Sequence, residues 1–401
     1  MSTATLSRAV PVTPAFAPTL TVFVLTALLV SGQLYVVIPL LPDMANGWGA
    51  DPGALTWLVT AFAIGYAVGF LLFGPLSDRI GRRRLLMVGM PLAAVATALV
   101  AISTDPAMAI ALRLVQGVAV ATFPPAGMAY LGESVEPRRR VVAISAITGA
   151  FLASAVLLQV GGQLLVGSVG WRGLFVLSAI GLALAWLGLR AVMAPDRPRE
   201  RGGSLMATYR VVPSLLVKPA LALRYLAVLV LLGGFVAVYT GLQLSGVVTS
   251  PGELLGLRAS GLPSILLIPL LTPWLARLSA PVRAIAFLLL AAVTLAVTGA
   301  TGAGAVGLAL LLAGYVAAIT AGLPALNESI ASLAEGSRGT ALALFSFFLA
   351  VGSSLGPLAA AAFADFDLLM YGLAAVMVVA ALAVLASAWL TARAAAAGRR
   401  A

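Results

Sequence analysis

The chain contains no histidine and no cysteine among its 401 residues. Without histidine there is neither a Ser-His-Asp triad nor a histidine-ligated zinc ion or haem. Without cysteine there is no disulfide, thiolate nucleophile or iron–sulfur cluster. Lysine occurs once, at Lys218 in a polar stretch, and no G-x-x-x-x-G-K-[ST] nucleotide-binding sequence is present. These absences predict a protein that is not an enzyme and that uses neither a metal nor a cofactor.

Charged residues are also scarce. They make up 9% of the chain, against about 25% in soluble domains, while hydrophobic residues reach 62%. A soluble fold of this length cannot bury so much apolar surface. The composition therefore predicts an all-α integral protein of the lipid bilayer.

A helix that crosses a bilayer needs about 20 mainly apolar residues. Reading between turn and charge clusters predicts twelve such spans, which the polar stretch 194–220 divides six and six. Because the boundary at 300–303 is short and apolar, eleven spans stay open as an alternative. The predicted spans are 18–42, 54–74, 84–103, 106–131, 140–165, 172–192, 221–247, 256–276, 282–300, 303–330, 339–363 and 368–392.

The placement of the basic residues predicts the orientation. The chain has 24 basic and 13 acidic residues, a formal charge of +11. If both termini are cytoplasmic, all the basic residues except Arg113, Arg172 and Arg258 fall on the cytoplasmic side, as the positive-inside rule requires. The basic excess then reflects topology and not a nucleic-acid surface. We expect a multi-pass protein of the cell membrane.

Weak internal similarity suggests a duplication, which is common in membrane transporters. Pro125 precedes Pro324 by about half the chain, and Arg139 precedes Arg338 by the same interval. The alternative is chance similarity between segments rich in Ala, Leu and Gly. We predict two pseudo-symmetric six-helix bundles, namely residues 1–193 and 221–401, joined by a cytoplasmic linker at 194–220.

The most specific motif is residues 74–84, GPLSDRIGRRR, between spans two and three. A loop that only anchors the chain would need the arginines but not the central acid or the spaced glycines. The motif resembles the G-x-L-x-D-R-x-G-R-R signature of the major facilitator superfamily. The resemblance implies a latch between the two halves, with Asp78 near Gly339–Thr340 and with Arg82 or Arg83 near Glu136. The predicted latch residues are Gly74, Asp78, Arg79, Gly81, Arg82, Arg83 and Glu136.

A second motif lies in span four, where residues 112–117 read LRLVQG. It resembles the R-x-x-Q-G motif of the drug:proton antiporters in the same superfamily. The resemblance implies that Arg113 and Gln116 serve proton or substrate coupling; the alternative is an Arg113 that snorkels to the surface. The antiporter Gly-Pro element is missing from span five, and a similar element, residues 352–357, occurs in span eleven.

The superfamily architecture implies a central cavity between spans one, four, seven and ten. A mostly apolar cavity with few polar groups suits an amphiphilic solute, whereas helix–helix hydrogen bonding is the alternative role for each polar residue. Glu328 is the best titratable candidate, because its surroundings in the sequence are apolar; a solvated helix end is the alternative. The predicted cavity residues are Gln33, Tyr35, Tyr239, Gln243, Tyr315 and Asn327.

The resemblance thus implies a secondary active transporter that works by alternating access. The leading hypothesis is proton-coupled export of small amphiphilic or drug-like compounds by a monomer. Two alternatives remain at this point, an importer of a small nutrient or organic anion and a receptor or scaffold that transports nothing.

Overall fold

The computed structural model describes residues 15–196 and 212–398, apart from 249, 276, 303, 335–337 and 364. Across these residues the regular structure is helical, and no strand occurs among them. The predicted all-α class is therefore confirmed. The predictions for both termini and for most of the linker lie outside the described residues.

The helices of the first half of the described chain, residues 15–196, include two short 3₁₀ turns, Ile38–Leu40 and Ala54–Thr56. The α-helices of this half are α1 (Phe16–Tyr35), α2 (Leu41–Trp48), α3 (Trp57–Ile80), α4 (Arg82–Ala101), α5 (Pro106–Val120), α6 (Phe123–Ser134) and α7 (Pro137–Val192).

The second half, residues 212–398, continues in the same way. Its α-helices are α8 (Pro219–Leu244), α9 (Pro251–Ala259), α10 (Leu262–Leu275), α11 (Ala280–Thr301), α12 (Ala305–Leu333), α13 (Arg338–Ala362) and α14 (Phe366–Gly398).

Ten helical stretches of the described residues are long and apolar enough to cross a membrane, against twelve in the prediction. Two differences account for this. The predicted spans 140–165 and 172–192 both fall on α7, which is one continuous helical stretch apart from Gly170. The predicted span 256–276 is divided between α9 and α10, each of which is too short to cross alone.

Helix α7 folds back on itself at Gly170. A straight helix of 56 residues would be about 84 Å long, far beyond the bilayer. Gly170 has φ 68° and ψ 170°, which only glycine adopts readily. On one side of it, positions 158 and 162 approach α1 at residues 32 and 36; on the other side, positions 181 and 188 approach residues 29 and 22. The two parts of α7 thus run past α1 in opposite directions.

Glycines bring α3 and α5 into close contact. A Cβ atom on Gly65 would lie 2.1 Å from the carbonyl oxygen of Leu114, and one on Gly117 would lie 2.1 Å from that of Phe62. Such small residues let two membrane helices approach backbone to backbone. This approach places Arg113, on α5, against the backbone of α3.

The start of α3 lies beside the end of α13. Gly53 and Ala361 line one depression, and the Thr60 hydroxyl donates to the carbonyl oxygen of Ser354 at 2.8 Å. The two helices are therefore antiparallel. We call the end of the molecule where α3 ends and α4 begins the basic end, after the arginines of residues 79–84, and the opposite end, which carries Asp51 and Asp365, the acidic end.

Candidate functional site

Arg113 is completely buried and bonded through all three guanidinium nitrogens. Its Nη1 donates to the Gln116 side chain at 2.7 Å, its Nη2 to the Gln33 carbonyl oxygen at 2.9 Å and its Nε to the Leu58 carbonyl oxygen at 3.1 Å. The guanidinium also lies 4.3 Å from the centre of the Phe62 ring. Arg113 therefore points inward to α1 and α3, which is opposite to the snorkelling alternative.

Gln116 extends this network to α4 and α1. Its Nε2 donates to the Thr97 hydroxyl at 2.8 Å and to Gln33 Oε1 at 3.2 Å. Gln33 in turn donates to the Leu29 carbonyl oxygen at 3.1 Å. Charge-assisted hydrogen bonds to neutral oxygens thus stabilise the Arg113 cation, with no carboxylate in ion-pair distance among the described residues.

A second buried arginine, Arg258 on α9, lies in the other half toward the acidic end. Its side chain is 1% exposed. Nη1 donates to Gln163 Oε1 on α7 and Nη2 to Gln243 Oε1 on α8, while Gln163 donates back to the Pro251 carbonyl oxygen. This contact joins the two halves of the chain. The sequence analysis placed Arg258 away from the cytoplasmic side, at the start of the predicted span 256–276, and missed Gln163; the lone arginine at the edge of an apolar run was the available signal.

A small cavity of about 30 Å³ lies between the two halves. This volume has room for about two water molecules. Tyr35 lies edge-on to Phe235, with ring centres 5.9 Å apart, and Phe235 lies 4.9 Å from the Tyr239 ring. The residues that line the cavity are Tyr35, Phe151, Ala155, Leu232, Phe235, Ile265, Val316, Ile319 and Thr320.

The other predicted cavity residues lie outside this lining. Gln33 belongs to the Arg113 network and Gln243 to the Arg258 contact. Tyr239 and Tyr315 are buried, and their hydroxyls have no hydrogen-bond partner among the described residues. Asn327 is half-buried on α12, near the basic end. The structure thus divides the predicted set into two polar clusters and an apolar centre.

At the basic end, Arg82 is the centre of the predicted latch. Its side chain is 8% exposed and bonds to the Ser77 hydroxyl, to Asp78 and, at 3.1 Å, to Glu133. Glu133, at the end of α6, occupies the place that the sequence analysis assigned to Glu136. Glu136 is exposed at the start of α7 and forms no ion pair with Arg82.

Asp196 fixes the start of α4. Its carboxylate accepts the backbone N–H groups of Arg83 and Arg84, both at 2.9 Å, and a negative group is favourable at a helix N-terminus. Gly81, with φ 103°, leaves room for this carboxylate, since a Cβ there would lie 2.3 Å from an Asp196 oxygen. Asp196 was not predicted, because it is far away in sequence and lies in what was read as the linker.

The remaining latch residues are less constrained. Arg79 is exposed, and a side chain added at Gly74 would meet nothing within 4 Å. Asp78 is 66% exposed and pairs with Arg82 of its own half. Its approach to Gly339–Thr340 therefore stays a prediction.

Glu328 is on the surface of the basic end. Its side chain is 61% exposed and forms an ion pair with Arg283, at the start of α11. This exposed position near the end of α12 agrees with the alternative that the sequence analysis left open, a solvated helix end, and a coupling role for Glu328 stays a prediction. Nearby, the buried Arg224 donates to the Ser329 carbonyl oxygen.

At the acidic end, a depression of about 310 Å³ opens between the halves. Asp51 comes from the first half, and Asp365, Phe363 and Phe366 come from the second. The sequence analysis did not predict this shared depression.

Comparison with known proteins identifies the chain's relationships. The model of the Major Facilitator Superfamily matches residues 23–334. The chain is similar to the Triacylglyceride transporter of Mycobacteroides abscessus, with 30% identity over 194 residues, which are 46% of this chain and 38% of the relative.

Two further relatives carry names that refer to resistance. The Tetracenomycin C resistance and export protein of Streptomyces glaucescens is 28% identical over 185 residues, 46% of this chain and 34% of the relative. The Methylenomycin A resistance protein of Bacillus subtilis is 30% identical over 161 residues, 40% of this chain and 34% of the relative. The matched stretch spans less than half the length of each of these three relatives.

Proposed function

Because the chain belongs to the major facilitator superfamily, we propose that it is a secondary active transporter that exports small amphiphilic or drug-like compounds in exchange for protons. One observation carries this proposal: the R-x-x-Q-G motif folds into a buried network in which Arg113 and Gln116 join α1, α3, α4 and α5. Two relatives are named for resistance, and one of these also for export. The mostly apolar lining of the central cavity suits an amphiphilic solute.

The proposed architecture is two six-helix bundles, residues 1–193 and 221–401, joined by a linker at 194–220. Helix α7 reverses at Gly170 and so counts as two crossings, and α9 and α10 together form one further crossing. The ten apolar stretches thereby become twelve crossings. The basic end then faces the cytoplasm, as do both termini, and the protein works as a monomer in the cell membrane.

In the proposed cycle the two bundles rock about the central cavity. At the basic end the cluster of Arg82, Asp78 and Glu133 lies within the first half and holds Asp78 for its proposed approach to Gly339–Thr340, whereas at the acidic end the contact between Arg258 and Gln163 joins the two halves. Opening of one end requires its polar contact to break, so each end acts as a gate. Proton coupling is proposed to act through the Arg113–Gln116 network. Neutral oxygens from several helices hold the Arg113 cation, so a change in the electric field at Arg113 would shift these helices together.

Import of an organic anion is the second candidate. It is favoured by two of the buried arginines, Arg113 and Arg258, neither of which has a carboxylate within ion-pair distance among the described residues. The direction of transport distinguishes the two candidates.

The test uses cells that lack their own exporters and express the chain. Accumulation of a lipophilic dye is measured with and without an uncoupler. We expect lower accumulation than in cells without the chain, and the uncoupler to abolish the difference. Faster dye uptake would contradict export, and an effect that survives the uncoupler would contradict proton coupling.

Asp78→Asn provides the internal test, because it removes the charge that pairs with Arg82 and leaves the size of the side chain unchanged. We expect at least a tenfold loss of export at equal membrane expression. Asp367→Asn, an exposed acid at the opposite end, is the matched control and should export normally. Normal export by Asp78→Asn would refute the latch.

A further inference from the structure

Arg258, with its partners Gln163 and Gln243, is a buried cation that does not use all of its hydrogen-bond donors. Two of its nitrogens bond to neutral amide oxygens, and its Nε has no partner among the described residues. The only acid on α9, Glu253, is exposed and forms no ion pair with it. A buried guanidinium without an anionic partner is unfavourable, and a planar carboxylate is the group that it binds best.

Two tyrosine hydroxyls extend this cluster. Tyr239 lies on α8 one helical turn before Gln243, the partner of Arg258, and Tyr315 lies on α12. The Tyr315 hydroxyl would lie 3.0 Å from a Cβ atom on Gly234, which places it against α8. Both hydroxyls are buried and unpaired within the described chain. Buried polar atoms are normally bonded, so two unpaired hydroxyls on the helices around a buried cation are available to a polar ligand.

The apolar cavity adjoins this cluster. Phe235 lines the cavity and packs against the Tyr239 ring, while Val316, which also lines it, follows Tyr315 in the chain. A ligand with a charged head at Arg258 can therefore extend an apolar body toward Tyr35 and the centre of the molecule.

Arg113 differs from Arg258 in this respect. All three of its nitrogens bond to protein oxygens, so a ligand would have to displace a helix backbone carbonyl or Gln116 to reach it. Arg258 offers a free Nε, and its present partners are side chains that can rotate away.

We propose that Arg258, Tyr239 and Tyr315 bind the carboxylate of an amphiphilic carboxylic acid, whose apolar body occupies the enlarged central cavity. This inference rests on the proposed transport function and names the substrate class. While the two halves are joined by the contact between Arg258 and Gln163, the amide oxygens of Gln163 and Gln243 occupy the positions that the carboxylate oxygens would take. Since Gln163 belongs to the first half, arrival of the carboxylate releases a contact between the halves.

The test measures ligand binding to the purified full-length protein in detergent, as the rise of the unfolding temperature with ligand concentration. The probes share one ten-carbon tail and are decanoate, decyl phosphate and decyltrimethylammonium. We expect decanoate to bind best and the half-saturating concentration of decanoate to rise at least tenfold in Arg258→Gln.

Tyr239→Phe keeps the test informative if Arg258→Gln does not fold. It removes only a hydroxyl that bonds to nothing in the described chain, so the fold is retained, and we expect decanoate to bind several-fold more weakly. Arg172→Gln is the matched control, because Arg172 lies toward the same end and bonds to the Ser103 carbonyl oxygen. Wild-type decanoate binding in Tyr239→Phe, or tighter binding of decyl phosphate than of decanoate, would overturn the proposal.

The absence of cysteine permits a second readout. Spin labels on Leu164→Cys, beside Gln163, and Gly256→Cys, on α9, report the distance between the halves by electron paramagnetic resonance. We expect decanoate to lengthen this distance in the wild-type background but not with Arg258→Gln. An unchanged distance in both would contradict the displacement of Gln163.

Failure of this inference differs from failure of the proposed function. If decanoate binding depends on Arg258 but the chain lowers the accumulation of no compound in cells, export is refuted and the carboxylate site is supported. Uncoupler-sensitive export together with decanoate binding that ignores Arg258 and Tyr239 would refute only the carboxylate site.

Discussion

Two of the buried arginines, Arg113 in the first half and Arg258 in the second, form different kinds of contact. Arg113 is bonded through every nitrogen, two of them to helix backbone carbonyls, and sits under an aromatic ring. Arg258 is bonded to two glutamine side chains and keeps one nitrogen free. The first half therefore holds its cation in a closed network, whereas the second half holds its cation in a contact that can be exchanged.

The two halves also differ in how their helices pack at glycine residues, and here the more rigid contact is in the second half. In the first half, a Cβ atom on Gly32 of α1 would lie 2.2 Å from the Leu158 side chain of α7. In the second half, a Cβ atom on Gly352 of α13 would lie 2.0 Å from the Leu229 backbone oxygen of α8. One interface meets through a side chain that can move and the other through backbone that cannot.

The largest expected effect compares the two arginines. Arg113→Met leaves Gln116 and two backbone carbonyl oxygens without a donor, so we expect the free energy of unfolding to fall by about 3–5 kcal/mol. Arg258→Met leaves two half-buried amides that solvent reaches, and we expect a fall of about 1–2 kcal/mol. Unfolding in detergent measures both losses of stability. Equal losses would contradict the difference between the contacts of Arg113 and those of Arg258.

The next comparison concerns the two glycines. We expect Gly352→Ala to destabilise the protein by about 1–3 kcal/mol, because the added methyl group meets a backbone oxygen. Leu229→Ala should not relieve this loss, since the clash is not with its side chain. In contrast, Leu158→Ala should relieve part of the loss caused by Gly32→Ala, because it removes the two Leu158 atoms closest to the added methyl group and leaves the Leu158 Cβ at 2.9 Å. If Leu229→Ala restores the stability that Gly352→Ala loses, the contact between residue 352 and the Leu229 backbone oxygen is wrong.

A smaller effect is expected at the basic end. Arg82 bonds to three side chains, while Arg283 pairs with one exposed carboxylate. Arg82→Gln should therefore cost about 1–2 kcal/mol of stability and Arg283→Gln less than about 1 kcal/mol. Double-mutant cycles with Glu133→Gln and Glu328→Gln measure the two couplings, and a stronger coupling between Arg283 and Glu328 would reverse this ranking.

The smallest effect concerns helix starts. Asp105 caps α5 by accepting the Met108 N–H at 2.9 Å, whereas α12 begins after Gly304 with no side-chain cap. The bond from Met108, with a second from Thr104, lowers the pKa of the Asp105 carboxyl. The stabilisation is therefore present at neutral pH and is lost as the pH falls through this lowered pKa.

We expect Asp105→Ala to lower the unfolding temperature by a few degrees at neutral pH, whereas Asp105→Asn changes it less, because asparagine also caps. Gly304→Asp should raise the unfolding temperature, since α12 gains a cap and space is free around residue 304. A lower unfolding temperature for Gly304→Asp would show that the start of α12 needs glycine.

Local patterns in the sequence predicted several features of the site. The motif at 74–84 predicted a charged cluster, and residues 112–117 predicted a functional arginine with its glutamine one turn away. The contacts of Arg82 with Asp78 and of Arg113 with Gln116 involve residues within one or two helical turns, which is why local spacing could indicate them; the functional roles stay predictions. Glu133 was missed in favour of Glu136 because helix rotation, which decides which acid faces Arg82, cannot be read from spacing across a loop.

The sequence by itself determined that this chain is helical, lies in a membrane and belongs to its superfamily, because hydropathy and local motifs depend only on neighbouring residues. The tertiary structure decided which groups meet: Asp196 with the start of α4, Gln163 with Arg258, and Thr60 with Ser354. These contacts join residues that are far apart in the chain, and their geometry follows from how close the helices approach and how each is rotated. Only packing sets those two quantities.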